Sequence, residues 1–296
     1  MSSSGTCPLC RSAQSRLHLR DGDWSLMRCK DCAHVYLANP PSESSLLAEV
    51  YNEHYWSSAT PALRGYADYF GDDGLHLDTM RRRVHMLGLQ AGEQVLDVGC
   101  ASGVFLAAAR ERGALVEGVE PSVSAALRAR MRLCGARIHQ GVLATRPDDG
   151  TRFDWITFVD SLEHLHDPLA ALVQARGLLK PAGRLAILTQ DVSSWTARGL
   201  GARWHHYKQP EHLHHFSPRT LRRALDVCGY EVEHLTRTAS GKFVTRSFVT
   251  ERVQHIQPWL APVLRPLCAL APERVWADLR DSFWCIARNQ APKEAA

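Results

Sequence analysis

The sequence predicts an α/β fold built on a doubly wound parallel sheet, with a metal-binding ribbon before it and a helical insert near its end. Residues 94–98 form a β-rich run that stops at a glycine-bearing turn and continues into an alanine-rich helix over 104–112. This is the strand, turn and helix order of a nucleotide-binding βαβ unit. The fully apolar run Phe153–Val159 suits a central parallel strand, and two C-x-x-C motifs stand in the first 40 residues.

Length and composition favour one large domain with a small appendage. The chain has 296 residues and a formal net charge of +4, with 15 histidines counted as neutral. That mild charge gives no strong electrostatic footprint for nucleic acid. No apolar run reaches the roughly 18 residues that a membrane helix needs, and the start of the chain is polar. We therefore expect a soluble cytoplasmic protein with reduced thiols and no membrane segment.

The first 40 residues contain the pattern C-x2-C-x18-C-x2-C, formed by Cys7, Cys10, Cys29 and Cys32. Four thiolates at this spacing can surround one Zn²⁺ as a tetrahedron, which leaves no open position and makes the metal structural. A redox C-x-x-C pair or a chance pattern is the less favoured alternative. The ribbon could bind nucleic acid, dock a partner or cap a substrate cleft. A turn-rich hinge at 39–42 separates it from a predicted helical cap over 41–93.

The glycine turn is predicted to hold a nucleoside with a cationic group. A second strand, 115–119, ends at Glu120, about twenty residues past the turn, where βαβ sites place the carboxylate that takes a ribose. The dinucleotide fingerprint G-x-G-x-x-G is absent, and the Asp97 carboxylate would repel a pyrophosphate but suit an ammonium. Gly99 and Gly103 allow close backbone approach to a ligand. The alternative is that this glycine turn only connects the strand to the helix and binds no ligand.

The motif D-V-G-C-A-S-G, followed by V-E-G-V-E-P-S, resembles motif I and the strand-2 acid of class I S-adenosylmethionine-dependent methyltransferases. The resemblance implies a Rossmann-like sheet of seven strands over 94–296 and S-adenosylmethionine as cofactor. Ala101 is a departure, because many members have glycine there. The two C-x-x-C pairs ahead of this motif, called knuckles below, are similar to those of a subgroup of small-molecule methyltransferases with an N-terminal zinc ribbon. The cofactor-binding residues implied are Asp97, Gly99, Cys100, Gly103, Glu120 and Asp160.

The segment after the apolar run, 160–168, is predicted to form the catalytic edge. Asp160, Glu163 and His164 lie at i, i+3 and i+4, so on a short helical turn they would share one face. Glu-His-x-x-Asp-Pro resembles the equivalent motif of ubiquinone-pathway O-methyltransferases. In RNA 2′-hydroxyl methyltransferases a similar set binds a divalent cation. Three roles stay open: a base or substrate-positioning group, ligands of a second divalent cation, or a structural role.

A substrate lid is predicted over 191–218, where five histidines crowd into one loop. The loop resembles the W…E-H-x-x-x-F-S-x-x-T-L block of the same methyltransferases. His212 or His214 is predicted to be the proton acceptor or a second ligand, since the pKa of histidine lies near neutrality. Most of the five histidines are expected to be packed within the protein with their hydrogen bonds satisfied. The run Arg81-Arg82-Arg83 is predicted to be a solvated helix face or a contact for an anionic substrate.

The remaining chain is predicted to close the sheet with an antiparallel strand pair, 230–238 and 282–287. Between them, residues 240–281 are predicted as a helical insert, which could form a homodimer surface, a cleft wall or ordinary core. The whole pattern predicts methylation of a hydroxyl on a sugar, phenol or natural-product intermediate, with carbon and nitrogen acceptors also open. The alternatives are an RNA methyltransferase that holds nucleic acid with its ribbon, and a non-catalytic zinc-dependent scaffold.

Overall fold

The computed structural model describes residues 5–46, 48, 73–246 and 272–290. The ribbon consists of β1 (Ser15–Asp21), β2 (Trp24–Cys29) and β3 (Val35–Leu37). A one-turn helix α1 (Glu43–Ser45) begins after Ser42, whose side chain caps it, and α2 (Asp73–Leu87) leads into the central sheet. The aromatic part of the predicted cap, 49–72, lies outside the described residues, as does the insert segment 247–271.

The central domain alternates strands and helices. Its first half contains β4 (Gln94–Val98), α3 (Val104–Glu111), β5 (Leu115–Glu120), α4 (Val123–Arg132) and β6 (Arg137–Gln140). Its second half contains β7 (Phe153–Val159), a 3₁₀ turn (Leu162–His164), α5 (Pro168–Leu178), β8 (Leu179–Gln190), α6 (Trp195–Leu200) and β9 (His214–His215). The chain closes with α7 (Pro218–Val227), β10 (Tyr230–Thr236), β11 (Lys242–Thr245), β12 (Arg274–Ala277) and β13 (Ser282–Asn289).

The central sheet has seven strands in the order β10-β13-β8-β7-β4-β5-β6. Strands β4 to β8 run parallel to one another, and β13 pairs antiparallel with both β8 and β10. The predicted seven-stranded α/β sheet and its closing antiparallel pair are thus confirmed. The strand order reverses between β4 and β7, and ligands of doubly wound sheets bind at such a switch point, beyond the carboxyl ends of the strands.

The ribbon is joined to the lid by main-chain hydrogen bonds. Strand β3 pairs antiparallel with β9, so the ribbon sheet has the order β1-β2-β3-β9. One apolar core contains the ribbon cysteines Cys7 and Cys29 together with Leu162 and Phe216 of the central domain. The ribbon therefore packs as part of the fold, and its last strand fixes the position of the lid.

The two ends of the predicted helical insert are strands. β11 and β12 form an antiparallel pair in which Phe243 lies opposite Trp276, with ring centroids 5.1 Å apart. The aromatic and β-branched residues Phe243, Val244 and Thr245 suit a pleated strand better than a helix. Among the described residues, no helix is long and apolar enough to cross a membrane.

Candidate active site

The turn after β4 requires glycine at two positions. Gly99 has φ +78°, and a Cβ there would lie 2.7 Å from Cβ of Ser161. Gly103 has φ +76°, and its Cβ would lie 2.8 Å from Cδ1 of Leu133. Both conformations favour glycine, and both sites lack room for a side chain. Ala101 adopts φ +48° in the same turn, so the departure from glycine is accommodated in a left-handed conformation.

Two buried carboxylates face this turn. Glu120 is 5% exposed and accepts hydrogen bonds from the backbone N–H groups of Ala101 and Ser122, both at 2.8 Å. Asp97 is 2% exposed and accepts a 2.7 Å hydrogen bond from the Thr157 hydroxyl. Neither has a Lys or Arg partner among the described residues. Burial raises the pKa of each to about 7, so a cation bound here would be stabilised by both.

The other predicted cofactor residues are placed differently. The Cys100 side chain is buried beneath the turn, where it would meet any Cβ added at Gly118 at 2.6 Å. Cys100 therefore contributes backbone and packing rather than a thiol facing the ligand. Asp160 stands at the carboxyl end of β7 with φ +52°, and its carboxylate lies 3.3 Å from the buried guanidinium of Arg83. Arg83 also donates to the Gly241 carbonyl at 3.3 Å, so it is not part of a solvated face.

Glu163, His164 and His212 form a cluster beyond the same sheet edge. One ligand atom of each lies within 4.8 Å of the others, and the His164 and His212 ring centroids are 4.7 Å apart. Nδ1 of His164 lies 2.9 Å from the Glu211 carbonyl, which can only accept, so Nδ1 carries the proton. The Thr189 hydroxyl donates to Glu163 at 3.0 Å. The Asp160 carboxylate pairs with Arg83, while its charge raises the pKa of Glu163 and its backbone is a hydrogen-bond partner of His164.

Burial decides the protonation of this cluster. Burial raises the pKa of Glu163 to about 8 and lowers the pKa of His164 to about 4. The pKa of His212 is lowered well below its usual value, again mainly by burial. Both histidines are therefore neutral near pH 7. Nδ1 of His212 has no hydrogen-bond partner among the described residues.

His214 belongs to the ribbon contact instead of the cluster. Its Nε2 lies 2.9 Å from the Leu165 carbonyl, so Nε2 donates, and its Nδ1 then accepts from Nε2 of His34 at 3.2 Å. Both nitrogens are thus used within the protein. His34 lies two residues after Cys32 of the second cysteine pair, which is the sequence feature that could have identified it. Thr189 could have been found as a polar residue near the carboxyl end of a buried strand.

The four ribbon cysteines converge as a metal site would require. Sγ of Cys7 lies 3.5 Å from Sγ of Cys32, and Cys10 and Cys29 are separated by the same distance. Zn–S bonds of about 2.3 Å in a tetrahedron place sulfurs roughly 3.8 Å apart, so the spacing fits Zn²⁺.

The two knuckles also repeat one hydrogen-bond pattern. The N–H groups of Arg11 and Ala33 donate to the carbonyls of Cys7 and Cys29, four residues earlier. Arg11 and Ala33 both have positive φ. Two sequence-distant turns with the same geometry present their thiols to one point.

A sheet of this order, with a glycine turn and two buried carboxylates without a protein cation at its switch point, defines a class I S-adenosylmethionine-dependent methyltransferase. The chain belongs to the family described as "Methyltransferase domain", which matches residues 75–235, more than half of its length.

Curated relatives and solved structures agree with this class. The chain is 30% identical over 181 residues to a ubiquinone biosynthesis O-methyltransferase of Histophilus somni, covering 51% of this chain and 71% of the relative. It is 27% identical to the enzyme of that name from Pasteurella multocida, covering 51% and 73%. An S-adenosylmethionine-dependent methyltransferase structure from Mesorhizobium loti matches with a TM-score of 0.50 and 21% identity. That match covers 72% of this chain and all of the other, and it shows the fold.

Proposed function

We propose that the protein methylates a hydroxyl of a small molecule, with Glu163, His164 and His212 on the acceptor side. The observation that carries the proposal is the neutral histidine pair beside a buried carboxyl group, beyond the same sheet edge as Asp97 and Glu120. The O-methyltransferase relatives favour this chemistry over RNA methylation and over a non-catalytic scaffold.

The donor supplies an electrophilic methyl group on a sulfonium. As the acceptor oxygen forms its bond to that carbon, the carbon–sulfur bond breaks and the hydroxyl proton must leave. A neutral histidine within hydrogen-bond reach can take this proton near pH 7. The Glu211 carbonyl accepts from Nδ1 of His164 and so fixes its tautomer, and the backbone of Asp160 is a second hydrogen-bond partner of this ring. Either His164 or His212 can therefore act as the base.

The donor contacts proposed are the turn Asp97 to Gly103 for the methionine end and Glu120 for the ribose hydroxyls. The backbone donors from Ala101 and Ser122 hold Glu120 in one orientation. We also propose Zn²⁺ at Cys7, Cys10, Cys29 and Cys32 in a structural role. A cation held by Glu163, His164 and His212 is the alternative for the acceptor cluster. Cytoplasmic location and a homodimer stay predictions.

The test measures methyl transfer from labelled donor to small-molecule extract, with His164→Ala, His212→Ala and the lid control His205→Ala. His205 is exposed and lies outside the cluster. Loss of the base should reduce turnover by roughly 10²- to 10⁴-fold while donor affinity persists. Inhibition by a chelator that leaves the ribbon metal in place would support the cation instead. Full turnover in the double variant His164→Ala, His212→Ala would exclude both roles.

A further inference from the structure

A cavity of about 350 Å³ lies between the ribbon and the lid. His18 and Arg28 line it from the ribbon strands, Ser193 and Arg198 line it from the segment after β8, and Tyr207 lines it from the lid. The volume falls within the range of sites that bind small molecules. The Tyr207 hydroxyl and Nε2 of His18 are 2.7 Å apart, so a hydrogen bond joins the lid to the ribbon across one wall. We call this space the ribbon cavity.

One apolar cluster connects the ribbon cavity to the donor turn. Leu19, Val192 and Ala197, which line it, belong to one apolar cluster that also includes Ala101 of the turn. Val192 and Ser193 follow β8 at the carboxyl edge of the sheet, the edge that also bears Asp97. A molecule in the cavity would therefore lie beside the proposed donor site, where an acceptor must be.

The charge of the ribbon cavity is uncompensated. Arg28 is half-buried and Arg198 is exposed. Neither guanidinium group has an ion pair or hydrogen bond with another described residue, although that of Arg198 lies 5.5 Å from the centre of the Trp195 ring. The two buried arginines elsewhere in the described chain, Arg83 and Arg146, each have a carboxylate partner, Asp160 and Glu117 respectively. Arg28 differs from these two in lining a cavity without a carboxylate partner, and an anionic ligand would complement it.

The titration of the neighbouring groups agrees with this picture. Burial lowers the pKa of Arg28, and the net effect stays a lowering although Tyr207 acts in the opposite direction, since the positive charges of Arg16 and Arg198 also lower it. Burial together with Arg28 and Arg16 lowers the pKa of His18 to about 4. His18 is thus neutral and can accept from the Tyr207 hydroxyl. The cavity wall carries cationic donors and no described carboxylate.

We propose that the ribbon cavity is the acceptor subsite, and that Arg28 and Arg198 bind an anionic group, phosphate or carboxylate, on the acceptor molecule. This inference rests on the proposed methyl transfer and adds its substrate class. Guanidinium groups bind either anion through paired N–H donors, and an anchored anion would fix the distance between the acceptor hydroxyl and the donor methyl. The ribbon then has a role in the reaction, because it supplies Arg28 and His18 to the substrate wall.

The test is isothermal titration of the zinc-loaded full chain, saturated with S-adenosylhomocysteine, with inorganic phosphate and with benzoate. The variants are Arg28→Gln and Arg198→Gln. The matched control is Arg20→Gln, an exposed arginine on the same ribbon sheet that does not line the cavity. Each cavity variant should weaken anion binding roughly tenfold or more, as expected for a charged hydrogen bond. The control should stay within about twofold of the parent chain.

Separate outcomes decide separate points. Binding of phosphate alone or benzoate alone assigns the anion, and binding of both supports the shared chemistry. The proposed subsite would be overturned if neither phosphate nor benzoate binds. It would also be overturned if Arg20→Gln weakens anion binding as much as the cavity variants do. S-adenosylhomocysteine affinity is measured in each variant and should not change. Failure of the parent chain to bind S-adenosylhomocysteine would instead refute the proposed function. Because Arg198 is exposed, its variant should fold even where Arg28→Gln does not.

Discussion

Donor binding should be strongly linked to pH, because the two carboxylates that face the donor turn have raised pKa values. Asp97 and Glu120 both titrate near pH 7 in the free protein because burial disfavours their ionised forms. The donor needs Asp97 ionised beside its cationic methionine end and Glu120 ionised to accept from both ribose hydroxyls, so binding must release protons below neutrality. Each group with a pKa of about 7 goes from roughly one-tenth to one-half ionised between pH 6 and pH 7. The affinity should therefore rise roughly fivefold per group, or about 30-fold for both.

This range of pH lies below the pKa of an α-amino group, about 7.7 to 8.0, so the charge of the donor itself stays constant. Titration calorimetry in two buffers of different ionisation enthalpy counts the protons released. Glu120→Gln should reduce the dependence to about fivefold, since only Asp97 then titrates. Thr157→Val should move the midpoint upward, because the Thr157 hydrogen bond lowers the pKa of Asp97. An affinity that is flat between pH 6 and pH 7 would refute the account of both carboxylates.

Three further predictions concern stability, the ribbon and the lid. The melting temperature of the ligand-free protein should fall between pH 7 and pH 8.5. The folded-state pKa values of Asp97, Glu120 and Glu163 are raised, so the protons they hold stabilise the folded protein, and this stabilisation is lost as the pH rises through those values. A rising melting temperature would contradict this. The Cys29→Ser variant should lose zinc, and its melting temperature should be lower by roughly 5 °C or more. Hydrogen exchange over 213–216 should become faster in this variant, since β9 pairs with β3 of the ribbon. The control is Cys134→Ser, because Cys134 is exposed. His214→Ala should lower the free energy of unfolding by about 1–3 kcal/mol, because both ring nitrogens of His214 are hydrogen-bonded within the protein. Denaturant unfolding measures this loss, and donor affinity should be retained. Unchanged stability would contradict the structural role.

The donor half of the fold could be predicted from sequence because its signals are local. The strands Gln94–Val98 and Phe153–Val159 have the predicted bounds, since each is an apolar run with a clear end. Glycine is needed at 99 and 103 for conformations that the turn itself imposes. Such features depend on neighbours a few residues away, and sequence patterns report them well.

The acceptor half depends on contacts that no short pattern contains. His212 and His214 cannot be separated by spacing, and the pairing of β9 with β3 decides which one meets His34. The i, i+3 spacing predicts Asp160 on one helical face with Glu163, but its left-handed φ and the start of the 3₁₀ turn at residue 162 direct its carboxylate to Arg83. The partner of Asp160 lies 77 residues away in sequence.

A crystal structure with S-adenosylhomocysteine tests the central claim most directly. The ribose hydroxyls should contact the Glu120 carboxylate, and the amino group of the ligand should lie at the turn beside Asp97. The sulfur should face the space between the Glu163, His164 and His212 cluster and the ribbon cavity. A ligand bound away from the turn between β4 and α3, or a sulfur directed away from that space, would contradict the assignment of the donor and acceptor sides.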